Sequence, residues 1–346
     1  MEDGCKEKQV IWNGKSERCI KMFLNFLGNL QKMQRQGKEK IYRNQAVIVM
    51  LALTCCALWG SAFPCVKIGY ELFNIEGTGS QILFAGCRFF LAGIMALALT
   101  GIMQHGFVKI KISSVPYIIG QGMLQTTLQY IFFYIGMANT TGSKGSVINA
   151  SNAFFSIITA HFFLKGEKIN IRKITGCFIG FIGVILVNIK PGGFGMGFSF
   201  QGEGMILLCS AAYGISSVTL KKVSERESPA AITAYQLLSG GAVLVITGLL
   251  LGGRIGAFSL KPAVLLIYMA LLSTVAFNIW AGLLKYNPVG KIAVYSFSIP
   301  VFGVAFSAIL LNESILSVQN LAALILVSAG IVIVNFNKEK IVVTSH

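Results

Sequence analysis

Acidic side chains are scarce in this chain. It has 346 residues but only 13 aspartates and glutamates, and Asp3 is the single aspartate. Every glutamate lies in a tail, in a turn or near the end of an apolar stretch, so none is placed in the middle of one. We therefore do not expect ion coupling through a buried carboxylate. Facilitated diffusion and proton movement through His161 or Glu203 both stay open.

Catalytic and metal-binding patterns are missing as well. The three histidines, His105, His161 and His346, are far apart, and the eight cysteines show no paired CxxC spacing. An intramembrane enzyme needs a nucleophile with a base, or a cluster of metal ligands. Disulfide frameworks and zinc sites need cysteines at suitable spacings. The sequence thus argues against an enzyme, and we expect no cofactor, no metal and mostly buried thiols.

Charged residues of either sign make up only 12% of the chain, and hydrophobic residues make up 54%. An ordinary soluble domain has about a quarter charged residues, so the apolar excess indicates a lipid environment. A membrane helix needs about 20 apolar residues, and helices satisfy their own backbone polar groups in lipid. We predict an all-α membrane protein with ten transmembrane helices. The predicted spans lie at about residues 46–70, 80–100, 115–137, 146–164, 171–189, 203–221, 230–251, 263–285, 289–311 and 317–336.

The net charge of +16 would suit a nucleic-acid partner, but its distribution favours a membrane. Most lysines and arginines fall in the two tails and in short loops on the side of the N-terminus, and only Lys144, Lys190, Arg254 and Lys261 fall on the opposite side. Basic loops mark the cytoplasmic side of membrane proteins. We expect both termini in the cytoplasm, a cell-membrane location, a lipid bilayer partner and no nucleic acid.

The chain divides into two similar halves between two tails. Residues 1–45 form a basic, cytoplasmic N-terminal tail, which is either an amphipathic helix on the membrane surface or a solvated leader. Residues 46–190 and 203–336 are the two five-helix repeats, and residues 337–346 form the C-terminal tail. The segments 181–188 and 328–335 align at a separation of 147 residues. Because five is odd, the second repeat is predicted to be inverted relative to the first.

Short motifs in both halves carry a specific resemblance. The Trp59-Gly60-Ser61-Ala62-Phe63 turn, the turn at 165–167, its counterpart at 311–313 and the glycine-rich closing helices resemble the EamA-type transporters of the drug/metabolite transporter superfamily. The resemblance covers about residues 46–336. It implies a ten-helix carrier of small metabolites, frequently amino acids, whose central cavity is lined by spans 1, 3, 4, 6, 8 and 9. Span 4 lacks a proline that members often carry, while span 9 has Pro300. The resemblance therefore does not define the geometry of the gate in the first half.

Three amides in span 3 are the first candidates for a solute site. Gln121, Gln125 and Gln129 are four residues apart, which places them on one face of an ideal α-helix. Amides facing lipid would be costly, so the face should point inward. It either forms a hydrogen-bonding wall for a polar solute or bridges neighbouring helices.

Polar and aromatic residues of other spans complete the predicted substrate-binding site. Each of them taken alone could be a packing residue, and their convergence on one place is the stronger argument. The remaining candidates are Trp59, Tyr130, Asn149, Asn152, Tyr213, Ser217, Asn278, Trp280, Tyr295 and Ser298.

Two cations lie within predicted spans, where charge is expensive and often functional. Lys67 has Glu71 one helical turn away, so it either forms a local ion pair or recognises solute charge. Arg88 has no acidic neighbour in its own span. It is predicted to bind a solute carboxylate or phosphate, to cap helix carbonyls or to reach the membrane surface.

The sequence therefore predicts a multi-pass carrier of a small-molecule solute that works by alternating access. Amino acids are the first expectation, and export is favoured over import. The alternatives are a passive channel, a membrane sensor, or a carrier of the same superfamily for a nucleoside or an organic anion. The oligomeric state stays open.

Overall fold

The computed structural model describes residues 37, 39–104, 106–186, 198–256, 259–311 and 318–335. Within these ranges the regular structure is entirely helical, with no strand, so the all-α prediction is confirmed for this part of the chain. The chain divides into two compact units, Met1–Ile48 and Val49–His346. The predicted amphipathic tail helix lies outside the described residues.

Ten helical segments of the described residues are named α1 to α10 in chain order, and a short 3-10 helix, Ile112–Ser114, precedes α3. Four of them are built from shorter pieces. The segments are α1 Gln45–Leu72; α2 Gly77–Gln104; α3 Val115–Gln121, Gly122–Leu128 and Gln129–Ala138; α4 Gly142–Asn149 and Ser151–Phe163; α5 Ile171–Leu186; α6 Phe200–Gly204 and Met205–Ser224; α7 Pro229–Leu250; α8 Leu260–Tyr286; α9 Val289–Ala293, Val294–Phe297 and Ser298–Leu311; and α10 Val318–Asn335.

Six helices of the described residues are long and apolar enough to cross a membrane. They are Gln45–Leu72, Gly77–Ile102, Phe200–Ser224, Pro229–Leu250, Leu260–Tyr286 and Val289–Leu311. Helix α3 is interrupted in its middle, and α4, α5 and α10 consist of shorter helices. Six apolar helices suffice for several crossings, whereas ten crossings remain a prediction.

The interruption of α3 is a π-helical stretch, Gly122–Leu128. A π-helix has i→i+5 hydrogen bonds in place of the i→i+4 bonds of an α-helix. Residues four apart across it are therefore still nearly one turn apart. The side chain of Thr127 bonds the Gly240 carbonyl of α7 at 3.1 Å from within this stretch.

Helices α4 and α9 are each interrupted near their middle. In α4 the break lies at Ala150, whose N–H bonds the Val147 carbonyl at 3.1 Å, three residues back. In α9 the break is the 3-10 turn Val294–Phe297, which precedes Pro300. The first half thus makes its break without the proline that the second half has.

Glycines bring α2 and α7 into direct backbone contact. A Cβ atom on Gly86 would lie 2.5 Å from the backbone nitrogen of Val245, and one on Gly93 would lie 2.5 Å from that of Leu238. Later residues of α2 meet earlier residues of α7, so the two helices are antiparallel. Small residues allow such close approach, and van der Waals packing of this kind holds membrane helices together.

Candidate functional site

A narrow cavity lies among seven of the helices, α1, α2, α3, α4, α6, α8 and α9. The space between its walls is about 450 Å³, but only about 30 Å³ admits the centre of a water-sized sphere. One water needs roughly 10–15 Å³ by that measure, so the cavity has room for only about two or three waters. It is lined by Trp59, Ala62, Phe63, Arg88, Gln129, Tyr130, Phe133, Asn149, Asn152, Tyr213, Phe277 and Ile299.

Aromatic rings form most of the apolar wall. Trp59 is at the centre, with ring centroids 6.4 Å from Tyr213, 5.8 Å from Phe277 and 5.0 Å from Trp280, all in edge-to-face arrangements. Such pairs are a favourable geometry for aromatic rings. The cluster joins α1, α6 and α8, so one tryptophan connects both halves of the chain at the cavity.

Four buried polar atoms of cavity-lining residues have no hydrogen-bond partner among the described residues. They are Nε1 of Trp59, Oε1 of Gln129, Oδ1 of Asn152 and the hydroxyl of Tyr213. These side chains are only 8%, 5%, 3% and 4% exposed. A buried polar group without a partner costs about 1–3 kcal/mol. A solute with complementary groups would recover that free energy.

Arg88 reaches the cavity from α2 and is 1% exposed. Its Nε donates to the Met269 carbonyl at 3.2 Å and to the Ser273 hydroxyl at 3.1 Å, and its Nη1 donates to the Tyr134 hydroxyl at 3.1 Å. Its guanidinium carbon lies 4.8 Å from the centre of the Phe89 ring. No carboxylate lies within ion-pair distance of Arg88 in the part of the chain that the structure describes.

The three predicted glutamines are all buried, and Gln129 is the one that lines the cavity. Gln129 follows the π-helical stretch. Gln121 donates to Gln125 Oε1 at 2.7 Å and to the Ser216 carbonyl of α6 at 3.1 Å. Thr219 of α6 donates to Gln121 Oε1. A binding role for Gln121 and Gln125 stays a prediction.

The remaining candidates lie around the cavity without lining it. Ser217 donates to the Tyr213 carbonyl at 2.9 Å within its own helix, and Trp280 packs behind Trp59. The carbonyl of Tyr295 accepts a hydrogen bond from the Cys56 thiol at 3.1 Å. Asn278 and Ser298 are half-buried on α8 and α9. A binding role for these residues stays a prediction.

Lys67 lies apart from the cavity, in an open polar depression with Lys144 and Glu203. Glu203 is 3% exposed. It accepts hydrogen bonds from Thr140 at 2.8 Å and from the Ser199 N–H at 2.6 Å, and its Oε1 is 3.0 Å from the Lys144 ammonium. The sequence predicts that these residues lie at the same membrane surface, but it does not predict the ion pair of Lys144 with Glu203. The opposite charges of two loops on the same side could have indicated this pair.

Glu167, in the turn between α4 and α5, holds the start of another helix. Its carboxylate accepts from the backbone N–H groups of Val289 at 2.7 Å and Gly290 at 2.8 Å. Those N–H groups begin α9 and have no partner within the helix, so a carboxylate is a suitable cap. The counterpart in the second half, Glu313, lies outside the described residues.

Comparison with known proteins defines the class. The EamA-like transporter family matches residues 46–189 and 200–336. This chain therefore belongs to the EamA-like family of transporters, as the sequence motifs indicate, and is a multi-pass membrane protein.

Curated relatives carry transporter names. A "Probable amino-acid metabolite efflux pump" of Salmonella typhimurium is 24% identical over 82% of this chain and 93% of its own length. One of the same name from Escherichia coli is 25% identical over 81% and 92%. An "Uncharacterized transporter" of Archaeoglobus fulgidus is 26% identical over 78% and 91%. A solved structure described only as "Crystal structure of protein" has a TM-score of 0.65 and 15% identity over 84% of this chain and 97% of that one, and so shares the fold.

Proposed function

We propose that this protein is a carrier that exports amino acids or similar small metabolites by alternating access in the cell membrane. The observation that carries the proposal is the narrow cavity between helices of the two halves, with its buried arginine, its polar atoms without partners among the described residues and its aromatic wall. Two relatives named as probable amino-acid metabolite efflux pumps support the solute class and the direction.

The α2–α7 contact supports two inverted five-helix repeats. Gly86 meets Leu244 and Val245, while Gly241 meets Phe89 and Phe90. Gly241, Leu244 and Val245 lie 155 residues after Gly86, Phe89 and Phe90, so the two contacts are equivalent. A two-fold axis between antiparallel helices produces this reciprocity, because each contact is then made twice. Such an axis in the membrane plane is the architecture of many alternating-access carriers.

A second pair of contacts supports the same relation. A Cβ atom on Gly60 of α1 would lie 2.6 Å from Cβ of Phe302 on α9, and one on Gly214 of α6 would lie 2.6 Å from Cβ of Phe155 on α4. Gly60 and Gly214 are 154 residues apart, and Phe155 and Phe302 are 147 residues apart. The crossings α1–α9 and α6–α4 are thus equivalent contacts of the two halves.

Polar contacts join the two halves at two places. Glu203 of the second half is bonded to Thr140 and Lys144 of the first, and Glu167 of the first half is bonded to Val289 and Gly290 of the second. With both termini in the cytoplasm, the Glu203 contacts lie outside and the Glu167 contacts inside. Opening either side alone would break one set and keep the other, as alternating access requires.

The inverted arrangement predicts opposite accessibility of equivalent loops. Lys109 follows α2 and Arg254 follows α7, and both side chains are exposed. In a variant without reactive native thiols, Arg254→Cys should react with a membrane-impermeant maleimide on intact cells. Lys109→Cys should react only after permeabilisation. Equal reactivity of both positions from one side would exclude inverted repeats.

Solute exchange tests the function directly. Proteoliposomes with the purified protein should show saturable counterflow of at least one amino acid in a panel that also contains nucleosides and organic anions. Counterflow requires a carrier, because a passive channel does not couple the two fluxes. Flux that does not saturate would support a channel. No exchange of any solute by demonstrably folded protein would contradict the proposal.

A further inference from the structure

We infer that the cavity reads its solute as a zwitterion, with Arg88 binding the carboxylate and the side-chain oxygens of Gln129 and Asn152 binding the ammonium group. The inference rests on the proposed carrier function. It names the chemical groups by which that carrier would select an amino acid over an amine, an amide or a simple organic acid.

The surroundings of Arg88 leave its charge unbalanced. A buried guanidinium is costly unless an anion pairs with it, yet the hydrogen-bond acceptors found for it are neutral: the Met269 carbonyl, the Ser273 hydroxyl and the Tyr134 hydroxyl. The sequence has no carboxylate in the middle of any predicted span. The missing negative charge is therefore expected to come from the solute.

The geometry of these bonds orients the guanidinium for a ligand. The neutral acceptors engage Nε and Nη1, and no acceptor for Nη2 is found among the described residues. Arg88 also lines the cavity. Contacts on one side of a planar group fix its direction and leave donors for a second partner. Carboxylates bind such a fork through two parallel hydrogen bonds.

The amides offer the opposite chemistry. Gln129 Oε1 and Asn152 Oδ1 are buried acceptors without donors in the described structure, and both residues line the cavity. An ammonium group carries three N–H donors and no acceptor, so it satisfies two carbonyl oxygens at once. A cavity with a cation among its donors and two vacant acceptors complements a zwitterion, and neither a plain anion nor a plain amine uses both parts.

The rest of the cavity suits an apolar side chain. Trp59, Phe133, Tyr213 and Phe277 supply rings. Since only about 30 Å³ of the cavity admits the centre of a water-sized sphere, the walls must move apart when a solute binds. An amino acid with an apolar side chain fits both the polar and the aromatic lining.

The test compares four ligands for the amino acid that exchange ranks first. For phenylalanine they are phenylalanine, phenylalaninamide, phenethylamine and 3-phenylpropanoate, each measured as a competitor of counterflow in proteoliposomes with the full chain. Wild-type protein should bind phenylalanine at least about tenfold more tightly than the other three, because each of them lacks one charge-assisted contact. With Arg88→Gln, phenylalanine should lose about 30-fold in affinity and phenylalaninamide less than about threefold.

Matched variants separate recognition from folding. Arg226→Gln removes a surface arginine that lies over Tyr117 and should leave every affinity unchanged. Arg88→Lys keeps the positive charge but loses the forked donor geometry, so its affinity for phenylalanine should fall about tenfold. This variant provides the test if Arg88→Gln does not fold. Asn152→Leu should reduce the preference for phenylalanine over 3-phenylpropanoate and keep the preference over phenylalaninamide.

Two failures are distinguishable. Absence of amino-acid exchange in wild-type protein would contradict the proposed function. Normal exchange in which Arg88→Gln still prefers the carboxylate to the amide, or in which Arg88→Lys binds phenylalanine as tightly as the wild-type protein, would overturn this inference alone.

Discussion

Replacing Gly241 by valine should prevent the protein from accumulating in a folded form. A Cβ atom at this position would collide with the backbone nitrogen of Phe90 and would lie 2.7 Å from the backbone carbon of Phe89. Backbone atoms of a helix cannot rotate away as a side chain does, so α2 and α7 would have to separate along their contact. In lipid this packing is a main source of helix association, and its loss has no hydrophobic compensation.

Alanine at position 241 should cause a smaller steric clash between α2 and α7 than valine does. Overpacking a well-filled interface typically costs about 1–3 kcal/mol, so Gly241→Ala should lower the denaturation temperature of the detergent-solubilised protein clearly. Gly120 of α3 is the matched control, because a Cβ there would meet no atom within 4 Å. If Gly241→Ala and Gly120→Ala melted at the same temperature, the close α2–α7 approach would be wrong.

Substituting Trp59 should have the largest effect on transport among the aromatic residues of the cavity. Trp59→Ala removes the ring that contacts Tyr213, Phe277 and Trp280. Truncation of a buried tryptophan costs about 3–5 kcal/mol of stability. Counterflow at a fixed amount of folded protein should fall about 100-fold, because the wall and a solute contact of about 1–3 kcal/mol are both lost.

A milder pair of variants separates the ring from its N–H group. Trp59→Phe keeps an aromatic ring and removes the unpartnered Nε1 donor, and it should reduce counterflow about tenfold if that donor binds solute. Trp280→Phe is the control, since Trp280 is also buried with an unpartnered Nε1 but does not line the cavity. Equal losses in the two phenylalanine variants would mean that packing alone explains the effect.

Helix positions and membrane character could be predicted from local pattern. Apolar runs, the glycines and prolines that interrupt them, and the basic loops are properties of neighbouring residues in the chain, and lipid imposes them on each helix separately. The repeated motifs around Gly60 and Gly214 belong to the same kind of information. The positions of Lys109 and Arg254 after equivalent helices, which the labelling experiment uses, can also be predicted from the sequence.

The identity of the cavity wall required the folded chain. Phe133 and Phe277 resemble any other apolar residue of a membrane helix, so no pattern marks them as cavity residues. The neutral neighbours of Arg88 come from α3 and α8 and are 46 or more residues away in sequence. Contacts at such separations depend on which helices pack together, and the amino-acid composition does not indicate this.

By itself the sequence determined the helical membrane class, the family and the presence of a cation without an acidic neighbour in its span. Only the tertiary structure decided that Gln129 faces the cavity while Gln121 bonds α6. The physical reason is that the partners of each amide lie on other helices, whose positions residue spacing does not reveal. Tertiary packing also brings Glu203 to Lys144 and leaves Asn152 Oδ1 without a partner among the described residues, because both outcomes depend on distances between helices rather than on the order of residues within one.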